Sequence, residues 1–327
     1  MSLMNLLPQA VRWQSPRTLT ALIVIALLAV LPLIASALDS SYYVSFATRV
    51  LIYALAAIGL NLILGFGGMV SLGHAMYVLI GAYAVAIPAS HGITSGWTHL
   101  AIAVSSTALL AAAVGAVSLR TTGIAFIMIT LAFAQMVFFA AVSLKDYGGD
   151  DGLTVVARSN FSLFDLGDNT TLYYVTLSTV LAALYLCWRA ILSPFGLVLR
   201  GTKANVRRTI ALGHSVLQYQ VTAYVVSAVI CAIAGVLLAN LTLFASPSYG
   251  AWTLSGELIV IVILGGLGTI FGPVVGAIIL LSLEETLPML LEAVAPDYKS
   301  NWMLLLGLFI FLVALLLKRG VFGSLRS

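Results

Sequence analysis

Apolar runs of bilayer-spanning length recur from one end of the chain to the other. They cover about 18–38, 48–65, 69–88, 99–119, 122–144, 171–191, 218–244 and 301–317. Each approaches the roughly 20 residues a helix needs to cross about 30 Å of hydrocarbon. The region 252–292 is twice that length. Read as one crossing, it would place the basic C-terminus opposite the basic N-terminus, against the tendency of Lys and Arg to stay on the cytoplasmic side. Gly265-Gly266-Leu267-Gly268 through Gly272-Pro273 breaks the run instead, since glycine weakens a helix and Pro273 suits a first helical turn. The pattern therefore predicts an all-α, polytopic transmembrane bundle of about ten spans with both termini cytoplasmic. The first run follows Arg12 and Arg17 and ends in Ala35-Ser36-Ala37, as a signal peptide would. Its length suits a full crossing better, so it is read as an uncleaved first helix.

Composition fixes the solvent. Hydrophobic residues make up 61% of the 327 residues and charged residues 8%, against roughly 25% charged in soluble domains. A chain with so little charge to cover its surface belongs in lipid, as a single membrane domain over 1–327. The net charge of +4 reports orientation and implies no nucleic-acid partner. Arg12, Arg17, Arg120, Arg189, Arg200, Lys203, Arg207, Arg208, Lys318, Arg319 and Arg326 fall on the inner side of the ten-span arrangement, and only Arg49, Lys145, Arg158 and Lys299 on the outer. Two longer loops result. An acidic one, 145–170, with Asp146, Asp150, Asp151, Asp165 and Asp168, is expected outside. A basic one, 192–217, with Arg200, Lys203, Arg207, Arg208 and His214, is expected inside.

Four features could carry function. The basic loop opens on Ser193-Pro194-Phe195-Gly196, a helix stop, and continues over 200–213 as a short cytosolic helix ending in glycine; anionic headgroups alone could also hold it. Gly196 and Gly201 have phosphate-loop spacing, but Thr202-Lys203 reverses the required order and no strand precedes it. In the segment 65–74, Gly65, Gly67, Gly68 and Gly73 permit either irregular backbone lining a cavity or a tight interhelical turn. Ser71 and His74 there could serve a pathway or bond a neighbouring helix. Glu257, opening a strongly apolar run, could cap a helix N-terminus or line a route. Gly268, Gly272 and Gly276 recur every fourth residue, a close-packing pattern. Cys187 and Cys231 lack any CxxC or neighbouring His and are read as packing residues. No catalytic or metal-binding signature is present, so neither a catalytic nor a metal site is expected.

The motifs together resemble a family. Gly59-Leu60-Asn61-Leu62, Ser71-Leu72-Gly73-His74, Thr130-Leu131-Ala132-Phe133-Ala134-Gln135-Met136 and Gly148-Gly149-Asp150-Asp151-Gly152-Leu153 carry the resemblance. So do Ser193-Pro194-Phe195-Gly196, Ala211-Leu212-Gly213, Ser246-Pro247-Ser248, Ser255-Gly256-Glu257 and Leu264-Gly265-Gly266-Leu267-Gly268-Thr269 with Gly272-Pro273. Over about 45–320 the chain is similar to the permeases of ATP-binding-cassette (ABC) importers for branched-chain amino acids, of the LivM type. The resemblance implies a multi-pass permease of the bacterial inner membrane that translocates leucine, isoleucine and valine. It implies a heterodimer with a second permease, two cytoplasmic ATPase subunits that hydrolyse the ATP, and a periplasmic substrate-binding protein. It implies no cofactor and no ATPase site on this chain. By the same resemblance 200–213 becomes the ATPase-coupling helix, with Arg200, Arg207, Arg208, Ala211 and Gly213. Gly67, Gly68, Ser71, His74 and Glu257 are the expected substrate pathway. Arg207-Arg208-Thr209-Ile210 departs from the family, where acidic residues are common. Related permeases carry urea or short amides, and an ion-coupled secondary transporter is a rival of another class. That rival needs ionisable groups at mid-membrane, and the candidates here are expected near helix ends.

Overall fold

The structure, a computed structural model, describes residues 16–37, 41–161, 166–294, 301–317 and 320–324. Arg12, Asp165, Lys299, Lys318, Arg319 and Arg326 lie outside the described residues, and so do the two ends of the chain. The helices are α1 (Pro16–Ala37), α2 (Ser41–Asn61), α3 (Ala75–Ser90), α4 (Gly96–Ser118), α5 (Ile124–Ser143), α6 (Asn169–Leu192) and α7 (Pro194–Ala204). They continue with α8 (Val206–Ala211), α9 (Val216–Thr242), α10 (Trp252–Gly265), α11 (Gly272–Val294), α12 (Trp302–Leu316) and α13 (Gly320–Ser324). Among the described residues, six helical stretches are long and apolar enough to span a bilayer: Ser41–Phe66, Gly96–Ser118, Ile124–Ser143, Asn169–Leu192, Val216–Thr242 and Gly272–Ala293. Four shorter apolar helices, Leu19–Leu33, Ala75–Ser90, Trp252–Gly265 and Trp302–Val313, complete a multi-pass helical bundle.

Three boundaries differ from the sequence expectation. The run expected over 69–88 is helical only from Ala75, because α2 closes in a π turn, Leu62–Phe66, and the chain then reverses through Gly68 at φ 71°. A π turn leaves the backbone ladder out of register and ends the helix where glycine is available. The second run starts earlier than expected, at Ser41. Residues 200–213 form parts of two helices, since Asn205 is extended and its side chain accepts the Arg208 N–H at 3.0 Å, starting α8 afresh. Pro194, expected as a stop, is the first residue of α7. The break between α10 and α11 falls where the glycines place it, with Gly266 and Gly268 at positive φ.

The core is built around α2 and α9. Every α2 residue from Val50 to Asn61 except Tyr53 is buried, as expected of a helix hydrophobic on all sides. By contrast, α4 buries one stripe, Ala103, Thr107, Ala111, Val114 and Ser118, against α9, while Leu109 on its far side is 76% exposed. In lipid, helix association rests on close backbone approach. At the α3–α9 crossing a Cβ on Gly81 would strike the Ala232 carbonyl oxygen, and one on Gly235 the Val78 carbonyl.

The acidic loop is pinned. Its strand β1 (Leu153–Thr154) pairs antiparallel with β2 (Phe244–Ala245), Leu153 opposite Ala245. The Ser159 N–H donates to Asn240 Oδ1 at 2.7 Å, and Arg158 donates to the Leu166 carbonyl at 2.8 Å and to Asn169 Oδ1 at 2.6 Å. His99 bridges Ser159 Oγ and the Ile93 carbonyl. Asp146, Asp150 and Asp151 remain exposed on its outer side.

Candidate functional site

The glycine-rich segment builds a packing node. His74 and Ser71 are fully buried. His74 Nε2 lies 3.0 Å from Ser227 Oγ on α9, and Nδ1 lies 3.0 Å from Ser71 Oγ. The Ser227 hydroxyl donates to the Gly59 carbonyl on α2 at 2.5 Å. With its one proton spent there, Ser227 accepts from Nε2–H, which leaves Nδ1 to accept from Ser71. Donor arithmetic therefore assigns a neutral Nε2–H imidazole that ties α2, α9 and the start of α3 together. Tyr77 and Tyr224 enclose its ring edge-on, with centroids 5.6 and 5.3 Å away. Ser71 and His74, expected on a substrate route, thus face no open space in this subunit. Gly67 is buried as well, and only Gly68 is exposed.

Glu257 is not a cap. The α10 helix starts at Trp252 with Ala251 at its cap position, so Glu257 is its sixth residue. Partly buried, it stands within electrostatic reach of Arg49 and Tyr53 on α2 and Glu284 on α11. Arg49 is exposed, with its guanidinium carbon 5.6 Å from the Tyr53 ring centre.

The depth of this group follows from helix geometry. At one end of the bundle Asn61 Nδ2 donates to the Thr269 carbonyl at 2.8 Å and Asn61 Oδ1 accepts the Gly268 N–H at 3.2 Å. The last turn of α2 and the α10–α11 hairpin therefore share a level. Counting 1.5 Å per residue from it, Tyr53 and Glu257 lie about 12 Å up and Arg49 and Glu284 about 18 Å up. All four therefore lie within the interior of their helices, away from either end. The expectation that the ionisable groups sit near helix ends is corrected here. The sequence reading missed Arg49 and Glu284 because each was assigned to a helix end.

The basic segment carries a second group. Arg200 reaches back to the Ile191 and Gly196 carbonyls, at 3.2 and 3.3 Å, so it steadies the α6–α7 joint. Arg207, Arg208, Ala211 and Gly213 are exposed, beside Ile210 at 57% and Leu212 at 72% exposure. Gly196 and Gly201 both lie within helix α7, which excludes a phosphate-binding loop there. Lys203, at the end of α7, donates to the Gly65 carbonyl in the π turn at 2.6 Å, and its stem lies against Gly68. With Asn61 beside it, this bond links α7 to both α2 and the α10–α11 hairpin. Nothing in the sequence pattern pointed to that link.

Comparisons with known proteins agree with this architecture. The family described as "Branched-chain amino acid transport system / permease component" matches residues 42–315. The Escherichia coli K12 "High-affinity branched-chain amino acid transport system permease protein LivM" is 27% identical, with 86% of this chain and 70% of that protein covered. The LivM protein of Salmonella typhimurium is 26% identical over the same shares. The E. coli K12 protein of the same system named LivH is 27% identical, with 83% of this chain and 91% of that protein covered. No solved structure matches the chain significantly.

Proposed function

Because the chain belongs to the branched-chain amino acid transport system permease family, we propose that it is one channel-forming subunit of an ABC importer carrying leucine, isoleucine and valine across the bacterial inner membrane. It pairs with a second permease, takes its power from two cytoplasmic ATPase subunits and receives substrate from a periplasmic binding protein. Both termini and the basic segment face the cytoplasm in this reading, with ten crossings in all.

The observation that carries the reading is the family match over 42–315, which spans the bundle from α2 to α12. Similarity to both LivM and LivH, permeases of one system in E. coli, supports a paired arrangement. The exposed Val206, Ile210 and Leu212 beside Arg207 and Arg208 support a docking element on α8, since a merely solvated loop gains nothing from three apolar side chains in water. Arg200 is removed from that contact by its bonds to the α6 end, whereas Arg207, Arg208, Ala211 and Gly213 stay in it.

Site-directed cross-linking tests the reading. A single cysteine at Ala211, in a chain with Cys187 and Cys231 replaced by alanine, is expected to cross-link to an ATPase subunit. A cysteine at Asp150 in the same background is expected to react only with an impermeant thiol reagent added from outside. Labelling of both positions from one side, with no ATPase adduct at 211, overturns the arrangement.

A further inference from the structure

We propose that Arg49, Tyr53, Glu257 and Glu284 form a head-group station for a zwitterionic α-amino acid on the translocation route; the inference rests on the importer reading above. Three independent helices that pack on one another, α2, α10 and α11, deliver these side chains to adjacent levels about one helical turn apart, midway along each helix. Charged groups at that depth are costly toward lipid and are kept where they face water or a ligand. This group is not sealed inside the subunit, since Arg49 is exposed and Tyr53, Glu257 and Glu284 are only partly buried.

The local shape agrees. Gly256, beside Glu257, would meet no atom within 4 Å if it carried a Cβ, and Thr253 and Ile263 on the same helix are exposed. The space next to Glu257 is therefore open to whatever occupies the route. Glu285 differs, because Tyr42 donates a hydrogen bond to it, which holds it aside.

Chemistry assigns the ligand class. A guanidinium offers paired N–H donors to a carboxylate, and the two glutamates offer acceptors to an ammonium. An α-amino acid carries both groups on adjacent atoms, so one molecule satisfies both halves. Urea or a neutral amide has no charge to engage either. The aliphatic side chain of the substrate is left facing the apolar Ile263, exposed on the open side of α10.

The test uses the assembled transporter in proteoliposomes, with the permease pair and ATPase subunits co-purified. Glu257→Gln and Glu284→Gln are each expected to cut leucine uptake per assembled complex at least tenfold, and Arg49→Gln likewise. Glu257→Cys, in the Cys187→Ala, Cys231→Ala background, is expected to react with a cationic methanethiosulfonate reagent and to be slowed at least fivefold by leucine. Uptake near wild type in all three variants overturns the station. So does reaction of the Glu257→Cys thiol without leucine protection, or loss of the partner permease with normal uptake in the complexes that remain, which would make the group a subunit contact. If the unmodified complex takes up no leucine, it is the importer reading that fails.

Discussion

In the proposed importer, replacing Lys203 with methionine is expected to leave the complex assembled and ATP hydrolysis running, while leucine uptake per ATP hydrolysed falls by about tenfold or more. The reason is local. Lys203 is the residue of α7 that bonds the π turn of α2, through the Gly65 carbonyl at 2.6 Å. A hydrogen bond from a charged donor contributes about 1.5–3 kcal/mol, enough to alter a coupling equilibrium by one to two orders of magnitude. Movement imposed on α7–α8 is then no longer passed to α2 or, through Asn61, to the Gly268–Thr269 turn. A π turn is a natural place for such a hinge, because its backbone ladder is already out of register. Methionine keeps the stem against Gly68, so packing survives and the charge alone is removed. Unchanged uptake per ATP in Lys203→Met would show that the bond does not transmit.

His74→Leu gives the opposite pattern: yield of the assembled complex falls several-fold while uptake per assembled complex stays near wild type. Leucine removes both ring hydrogen bonds, each worth about 0.6–2 kcal/mol between membrane helices. It also leaves the Ser71 hydroxyl buried without its partner. A total loss of about 1–4 kcal/mol is a large share of a marginal stability. The imidazole touches no open space in this subunit, so the translocation step is expected to proceed without it. Full assembly with uptake abolished would return His74 to the route.

These two residues also mark what could be read from the chain alone. Glycine and proline positions located the α10–α11 break, and the apolar runs located the helices, because both signals are local in sequence. The function of His74 was not local. Its partner Ser227 is 153 residues away, and a polar residue beside glycines looks the same whether it faces a cavity or a neighbouring helix. Lys203 and Gly65 are 138 residues apart and carry no pattern that associates them. The depth of Arg49 was misjudged for a different reason. Hydropathy drops at Ser41-Tyr42-Tyr43 and again at Arg49, so the apolar run starts late, while the helix itself starts at Ser41. Burial of α2 by its neighbours overrides the local signal and carries a charge to mid-depth.

Carboxylates in the interior of apolar helices are also what an ion-coupled carrier employs, so the energy source separates the two readings. The direct measurement is leucine uptake by proteoliposomes holding this chain with its partner permease and ATPase subunits, with binding protein outside and ATP trapped within. An ABC importer is expected to give leucine accumulation that needs ATP and the binding protein and persists with all ion gradients collapsed. Uptake driven by a proton or sodium gradient without ATP, or ATP-driven uptake of urea in place of leucine, would contradict it.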